Sequence, residues 1–217
     1  MFDQPIVMLD FETTGLSPAM GDRITEVAAL RIVGGRIAER YVSLVNCEVR
    51  IPSFITQLTG ITQAMVDAAP PVAQVLPELL DFIGTDTLSA HNASFDEKFL
   101  MAEAERMGRR CGHVGLVCSL KLSRRVFPGM ASYKLGMLSR QLGIRFRSAA
   151  HRAEADAEVA AELLIHIGRH LGERYGLEPF APHLLVSLNK LAAAKVPAYL
   201  GKVAEERRAP PQSAVSA

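Results

Sequence analysis

The chain has 217 residues, of which 49% are hydrophobic, and its formal net charge at pH 7 is +1. This composition supports a sizeable buried core and excludes wholesale disorder. It also excludes a strongly basic domain of the kind that coats long duplex DNA, so any contact with nucleic acid is expected to be short and local, or strengthened by another protein. Three cysteines without CxxC spacing are typical of a reducing cytosol. We find neither a signal peptide pattern nor an apolar run of ~18 residues, so we expect a cytoplasmic protein without membrane contact.

The first half of the chain begins with three predicted strands. Residues 5–10 form a short apolar run that predicts a buried strand. Residues 24–33 and 36–45 predict two more strands, and the Gly34-Gly35 dipeptide between them is a strong signal for a two-residue hairpin turn. The first three strands are therefore expected to be antiparallel.

Strands then alternate with helices. The spacing predicts strands over 87–90 and 114–117, and helices over 72–83, 94–107, 119–126, 134–142 and 152–171. Ser94 and Glu97 form a capping-box pattern at the start of the helix over 94–107. Strands that come first and then alternate with helices indicate an α/β fold: a mixed five-stranded sheet, three strands antiparallel and then parallel ones, flanked by helices.

The pattern of apolar residues along the sequence changes after Gly176. Pro179 and Pro182 interrupt the pattern, and amphipathic helices are then predicted over 184–195 and 198–207. The last residues have the composition of a disordered tail. We therefore expect a main domain over 1–175, a helical extension over 176–206 that is a candidate for docking a partner, and a disordered tail over 207–217.

Four acidic residues stand in apolar segments: Asp10, Glu12, Asp96 and Asp156. Buried carboxylates without partners are strongly unfavourable, so a pair of divalent metal ions is the natural compensation. Period-two alternation places Asp10 and Glu12 on one face of a strand, ~7 Å apart along the backbone. Asp96 lies in the first turn of a helix that follows a strand, and the carboxyl ends of strands are where open α/β sheets place their sites.

This set of residues favours two-metal chemistry at a phosphodiester bond. Four carboxylates match two Mg²⁺ or Mn²⁺ ions, whereas the absence of cysteine from these segments argues against zinc. Three of the four acids also have an ordinary explanation: Asp10 as a turn residue, Asp96 as a complement to the helix dipole, and Asp156 as an exposed helical charge.

Three segments of the sequence resemble the motifs of a known protein family. LDFETTGL at 9–16, AHNASFDEKFL at 90–100 and HRAEADAEVAAELL at 151–164 closely resemble the three exonuclease motifs of the DEDDh family, in family order. That family comprises 3′-to-5′ exonucleases with an RNase H-like fold, including the proofreading subunit of bacterial DNA polymerase III and ribonuclease T. The intervening LTGIT at 58–62 also resembles a family segment. The resemblance covers about residues 5–169 and leaves out the C-terminal segment.

The resemblance implies a role for each motif residue. Asp10, Glu12, Asp96 and Asp156 would bind the metal ions, and His151 would be the general base. The residues expected to hold the terminal nucleotide are Thr13, Thr14, Gly15 and Leu16, with Leu16 as an apolar wedge against the base. Asn92 is a candidate substrate contact, whereas His91 is interpreted as structural. Arg152 adjoins His151 and is the best candidate for a phosphate contact, whereas most of the other basic residues nearby are interpreted as solvated charges; these are Lys121, Arg124, Arg125, Lys134, Arg145 and Arg147.

The expected function is a metal-dependent 3′-to-5′ exonuclease that acts on single-stranded or frayed DNA ends and releases nucleoside 5′-monophosphates. Thr13 stands where oligoribonucleases typically carry Met, which favours the proofreading branch. One alternative is an exoribonuclease that trims RNA ends, as ribonuclease T does. Another is a polymerase-associated subunit whose main role is binding, and a third is a different two-metal phosphohydrolase.

Overall fold

A mixed five-stranded sheet forms the centre of the molecule. The computed structural model describes residues 1–144 and 151–208, so Arg145, Arg147 and most of the predicted tail lie outside the described residues. The strands are β1 (Ile6–Thr13), β2 (Ile24–Val33), β3 (Arg36–Leu44), β4 (Thr87–Ala90) and β5 (Leu116–Cys118), in the order β3-β2-β1-β4-β5. β1 pairs antiparallel with β2 and parallel with β4, β2 pairs antiparallel with β3, and β4 pairs parallel with β5. The predicted fold class is confirmed.

Helices cover both faces of this sheet. In the described ranges the α-helices are α1 (Ser53–Thr59), α2 (Gln63–Asp67), α3 (Val72–Ile83), α4 (Ser94–Arg106), α5 (Ser119–Val126), α6 (Leu135–Gln141), α7 (Ala153–Tyr175), α8 (His183–Lys190) and α9 (Val196–Arg208). Short 3₁₀ turns lie at Pro18–Met20 and Ala193–Lys195. No helix in these ranges is both long enough and apolar enough to cross a bilayer.

The alternation of β1 divides the interior into two cores. Ile6 and Met8 face α7, which contributes residues such as Leu164 to a shared apolar cluster. Val7 and Leu9 face the opposite side and pack in a second cluster with residues of α3 and α4. A strand that is apolar on both faces must be covered on both faces, so this segment has to be central in the sheet.

Several local predictions were wrong, and the strand predicted over 114–117 is observed as β5 at Leu116–Cys118. β1 does not end at Asp10 but runs to Thr13, because β2 supplies pairing partners as far as Ile24. The capping box is also absent, since α4 begins at Ser94 itself, with Ala93 in the capping position and no side-chain cap.

The segment after Gly176 packs against the main domain. Leu185 and Leu188 of α8 and Leu200 of α9 are buried in the same apolar cluster as α7. The predicted helix over 184–195 is divided, because extended backbone at Leu191 follows α8. Partner docking by this extension stays a prediction, and a partner would have to use a face other than the one these side chains occupy.

Asn189 joins the extension to the edge of the sheet. Its side-chain oxygen accepts a hydrogen bond of 2.6 Å from the backbone N–H of Cys118, and its amide nitrogen donates one of 3.2 Å to the carbonyl of Cys118. The side chain therefore satisfies backbone groups that the edge strand β5 would otherwise leave unpaired.

We predict that Asn189→Ala lowers the free energy of unfolding by about 1–3 kcal/mol, since both backbone groups of Cys118 lose their partner. Urea unfolding followed by circular dichroism measures this. Lys190→Ala, an exposed substitution on the same helix, is the control and should change stability by less than about 0.5 kcal/mol. Equal stabilities for the two variants would contradict the proposed link.

Candidate active site

Three carboxylates meet at the end of β1. Oxygen atoms of Asp10, Glu12 and Asp156 all lie within 4.8 Å of one another, and each side chain is partly exposed. Asp10 and Glu12 share the face of β1 that α7 covers, and Asp156 lies in the first turn of α7. Packing of α7 against the sheet thus brings together acids that are far apart in the sequence.

Asp96 approaches from the other side of the sheet. It lies in the first turn of α4, which packs with the opposite core, and it is 3% exposed. β4 pairs with β1 only as far as Met8 and Ser89, and Asp96 Oδ1 accepts a 3.2 Å hydrogen bond from the N–H of Phe11 beyond that point. Phe11 stands between Asp10 and Glu12, so this bond ties α4 to the acidic stretch of β1.

Burial and mutual repulsion raise the pKa values of these acids. Burial raises the pKa of Asp10 well above its usual range, and the charges of Asp96 and Asp156 raise it further. Burial, followed by the charge of Asp156, raises the pKa of Glu12 to about 7. Burial raises the pKa of Asp96 to about 8, partly offset by the N–H of Phe11. The group therefore requires protons or a cation at neutral pH.

The donor set fits a divalent cation that prefers oxygen. The three clustered side chains offer only carboxylate oxygens, which are the ligands of Mg²⁺ and Mn²⁺. No cysteine or histidine belongs to the close group among the described residues. The raised pKa values point the same way, because a bound cation compensates the charges that burial makes costly.

His151 lies two residues before the start of α7. Its backbone N–H donates a 3.0 Å hydrogen bond to Asp156 Oδ2, and its φ of 65° is in the left-handed region. Burial raises the pKa of Asp156, whereas this hydrogen bond and the His151 charge lower it. A left-handed conformation costs a non-glycine residue ~1–2 kcal/mol, so contacts at the start of α7 must hold the histidine in place.

Glu26 makes the contacts that fix the start of α7. The sequence analysis did not identify Glu26 as a site residue. It lies on β2 directly opposite Glu12 and is 2% exposed. Its carboxylate accepts a 3.0 Å hydrogen bond from Nε of Arg152 and a 2.9 Å bond from the N–H of Ala153, the first residue of α7. The signal available in the sequence was a single acid inside the apolar strand ITEVAALRIV.

Arg152 places a positive charge next to the acid cluster. Hydrogen bonding to Glu26 raises the pKa of Arg152, and the charge of Arg152 lowers the pKa of Glu12. Like charges opposite each other on neighbouring strands are destabilising, so the guanidinium compensates the Glu12–Glu26 pair. Its side chain is 42% exposed, and its contact with substrate stays a prediction.

The loop after β1 is held by its own polar side chains. Thr13 Oγ1 donates to the carbonyl of Gly15 at 2.6 Å, and Thr14 Oγ1 accepts from the N–H of Arg23 at 3.0 Å. A Cβ at Gly15 would lie 2.4 Å from Asp22 Oδ1, so a larger residue there would displace the carboxylate that accepts a hydrogen bond from the N–H of Ser17. Leu16 is 77% exposed at the tip, which leaves it free for the predicted wedge role.

His91 and Asn92 form the turn between β4 and α4. Nδ1 of His91 lies 2.9 Å from Ser119 Oγ, and its Nε2 lies 3.1 Å from the carbonyl of Tyr133. Both ring nitrogens are therefore engaged within the fold, in agreement with a structural role. Asn92 is exposed with a φ of 78°, so its side chain is accessible at this edge of the sheet.

The acid cluster predicts a pH-dependent stability. The folded pKa values of Glu12 and Asp96, about 7 and about 8, exceed the ~4 of the unfolded chain. The folded state then binds more protons in this window, so the free energy of unfolding decreases as the pH rises from about 4 to about 8. In EDTA, the Tm from scanning fluorimetry should be lower at about pH 8.5 than at about pH 6. Millimolar Mg²⁺ should raise it most at the higher pH. A Tm insensitive to both pH and metal would contradict this account.

The Glu26–Arg152 pair predicts a measurable coupling. We expect a double-mutant cycle with Glu26→Gln and Arg152→Gln to give a coupling free energy of about 1–3 kcal/mol in urea unfolding. The matched control is the pair of Arg40 and Glu154, whose side chains are 38% and 49% exposed. That pair should give less than about 1 kcal/mol, and equal couplings would refute the special role of Glu26.

Comparison with known proteins agrees with this geometry. The RNase T exonuclease family matches residues 7–164. The 3′-5′ exonuclease DinG of Bacillus subtilis is 39% identical over 167 residues, which are 77% of this chain and 18% of DinG. DNA polymerase III subunit epsilon of Aquifex aeolicus is 34% identical over 177 residues, which are 82% of this chain and 87% of the subunit. The chain thus spans most of epsilon, but only 18% of DinG and 13% of a PolC-type polymerase III of Clostridium perfringens.

Solved structures show the same architecture. Exonuclease X in complex with 5′ overhanging duplex DNA superposes with a TM-score of 0.67 at 26% identity, covering 85% of this chain and 99% of that one. E. coli exonuclease I in complex with a dT13 oligonucleotide gives a TM-score of 0.68 at 18% identity, covering 80% of this chain and 43% of that one, a likeness of fold alone. The chain therefore belongs to the RNase T family of DEDD-type 3′-to-5′ exonucleases.

Proposed function

We propose that this protein is a metal-dependent exonuclease that shortens DNA from its 3′ end and releases nucleoside 5′-monophosphates. The observation that carries the proposal is the convergence of Asp10, Glu12 and Asp156 within 4.8 Å, next to the buried Asp96. Acids whose pKa values are raised by burial and by one another form a site that only protons or cations can compensate.

In this proposal the four acids hold two Mg²⁺ or Mn²⁺ ions. When bound, such ions stabilise the charge that develops at phosphorus and on the departing 3′ oxygen. The protein's own contributions are distinct from this. Leu16 contacts the terminal base, and the loop from Thr13 to Gly15 fixes the terminal nucleotide. Asn92 is a further substrate contact, and Arg152, whose side chain is 42% exposed, contacts a phosphate.

His151 is proposed to accept the proton of the attacking water. An imidazole is suited to this role because its ordinary pKa is close to neutral. The hydrogen bond from the His151 N–H to Asp156 and the anchoring of Arg152 by Glu26 hold this residue beside the start of α7. The left-handed backbone of His151 is consistent with a residue whose position is imposed by its surroundings.

DNA is the preferred substrate in this proposal. The solved Exonuclease X complex, which is 26% identical to this chain, contains duplex DNA with a 5′ overhang. The relative from Aquifex aeolicus is a subunit of DNA polymerase III, which supports proofreading beside a polymerase as the biological setting. Trimming of RNA ends is the second candidate, because the matching family is that of ribonuclease T.

The test uses 5′-labelled single-stranded DNA and RNA of the same sequence, incubated with Mg²⁺ and separated on a denaturing gel. We expect a ladder that shortens from the 3′ end, with DNA degraded faster than RNA and no cleavage in EDTA. Faster degradation of RNA would favour the second candidate. Hydrolysis of small phosphate esters without any shortening of either oligonucleotide would overturn the proposal.

We predict that His151→Ala lowers turnover by about 10²–10⁴-fold, since the attacking water loses its proton acceptor. Asp10→Asn and Asp156→Asn should abolish cleavage, because each removes an oxygen ligand. Single-turnover rates on the labelled DNA, together with the Tm shift on adding Mg²⁺, separate the two effects. His151→Ala should retain the Tm shift while the aspartate variants lose it. A fully active variant of any of the three would exclude that residue from the mechanism.

A further inference from the structure

The loop between β1 and β2 (residues 14–23) carries Leu16, and we refer to it as the wedge loop. The ladder between the two strands ends at Thr13 and Ile24, and one further backbone bond of 2.9 Å joins the N–H of Thr14 to the carbonyl of Arg23. Beyond that bond, the sheet pairs no residue of the wedge loop in the described part of the chain. The position of Leu16 relative to the acid cluster therefore depends on contacts outside the sheet.

The wedge loop is braced internally. Asp22 Oδ2 accepts a 2.9 Å hydrogen bond from the N–H of Ser17, and the N–H of Met20 donates one of 3.0 Å to the Ser17 carbonyl. The short 3₁₀ turn at Pro18–Met20 lies inside this arrangement. These contacts give the loop a defined shape, but they join loop residues to one another and do not fix where the loop lies against the domain.

Two cations of α4 fix the loop against the domain. Lys98 Nζ donates a 2.5 Å hydrogen bond to the Leu16 carbonyl, and a guanidinium nitrogen of Arg106 donates one of 3.1 Å to the Pro18 carbonyl. The two cations are eight positions apart in the sequence, which is ~12 Å along a helix, so they hold the loop at two separate points. The Lys98 ammonium also lies 5.0 Å from the centre of the Phe95 ring, which restrains it.

Glu103 holds one of these cations in place. This residue of α4 is 1% exposed, and its carboxylate accepts a 2.9 Å hydrogen bond from Arg106. It also accepts a 2.7 Å hydrogen bond from Nε of Arg23, at the end of the wedge loop. Apolar residues of similar volume often stabilise a core at least as well as a buried ion pair does. The charges of this group therefore contribute orientation, since they direct Arg106 towards the loop.

The same helix carries Asp96. Glu103 lies seven positions after Asp96, about two turns further along the same face of α4. The first turn of α4 thus contacts the acidic stretch of β1 through Asp96, and the rest of the helix supports the wedge loop. The chemistry proposed above assigns no role to Lys98, Glu103 or Arg106.

We propose that Lys98 and Arg106 are positioning residues that hold Leu16 where it contacts the terminal base, with Glu103 orienting Arg106. Because α4 supports both the wedge loop and Asp96, the base is held while the adjoining phosphodiester bond faces the acid cluster. This inference rests on the proposed exonuclease function. It adds a cause for the position of the wedge, which the sheet itself does not fix.

The test compares Lys98→Met/Arg106→Met with Arg109→Met. Methionine keeps an unbranched side chain but donates no hydrogen bond. Arg109 is exposed, and among the described residues its side chain makes no hydrogen bond or ion pair with the wedge loop. Two 5′-labelled oligothymidylates are the substrates: one has an ordinary 3′ end, and the other ends in an abasic residue that offers Leu16 no base. Removal of the first 3′ residue is measured in Mg²⁺.

The double variant should lower kcat/KM for the ordinary end about tenfold, mainly through a higher KM, because Leu16 no longer meets the base in the right position. For the abasic end, kcat/KM should stay within about twofold of the parent enzyme, whereas a loss of folded protein would lower both values alike. Arg109→Met should match the parent enzyme on both substrates. In a Leu16→Ala background, the double substitution should change kcat/KM for the ordinary end by less than about twofold, since the side chain that it positions is gone.

Equal losses on the ordinary and the abasic end would overturn the inference. A double variant that behaves like Arg109→Met would do the same, as would the full loss in the Leu16→Ala background. A parent enzyme that removes both end residues equally well would also overturn it, because Leu16 would then make no useful contact with the base, while the proposed exonuclease function would stand. A parent enzyme that shortens neither oligomer would refute the proposed function and, with it, this inference.

Discussion

Repulsion within the acid cluster is the constraint on which the rest of the site depends. Asp10, Glu12 and Asp156 are brought within 4.8 Å although burial raises the pKa of each, and neighbouring carboxylate charges raise those of Asp10 and Glu12 further. Such a cluster persists only when packing elsewhere fixes the elements that carry it. The apolar contacts between β1 and α7 on one face, and between β1 and α4 on the other, supply that packing. The site is thus placed where the two cores of the protein meet at the carboxyl end of β1.

Glu26 and Arg152 show how the fold limits the unfavourable electrostatic free energy of the clustered carboxylates. Glu26 adds a further carboxylate opposite Glu12, yet it also binds the guanidinium of Arg152 and the first N–H of α7. One side chain therefore fixes the start of α7, and with it the positions of His151 and Asp156. The carboxylate of this ion pair is buried although the Arg152 side chain is 42% exposed, so the loss of Arg152 would leave a buried charge without its partner.

The mixed five-stranded sheet and the four motif acids could be predicted from the sequence. The sheet follows from local patterns of apolar residues, and the acids follow from their positions in those patterns and from the family resemblance. Asp10 and Glu12 follow from period-two alternation, and Asp96 from its place after a strand. Glu26 was missed because its partner Arg152 is 126 positions away, and no spacing rule links them. The end of β1 was misplaced because it depends on pairing with β2, and α1 and α2 were missed because helices of 7 and 5 residues are too short to show a period.

Metal binding at the acid cluster requires that cations replace protons, and calorimetric titration of Mn²⁺ into the protein tests this most directly. Acids with pKa values of about 7 and about 8 must lose protons to bind a metal. Titrations in buffers of different ionisation enthalpy should therefore show net proton release at about pH 6.5 that disappears at about pH 9. Asp10→Asn should lose this binding. Absence of saturable binding, or binding without proton release at the lower pH, would contradict the account.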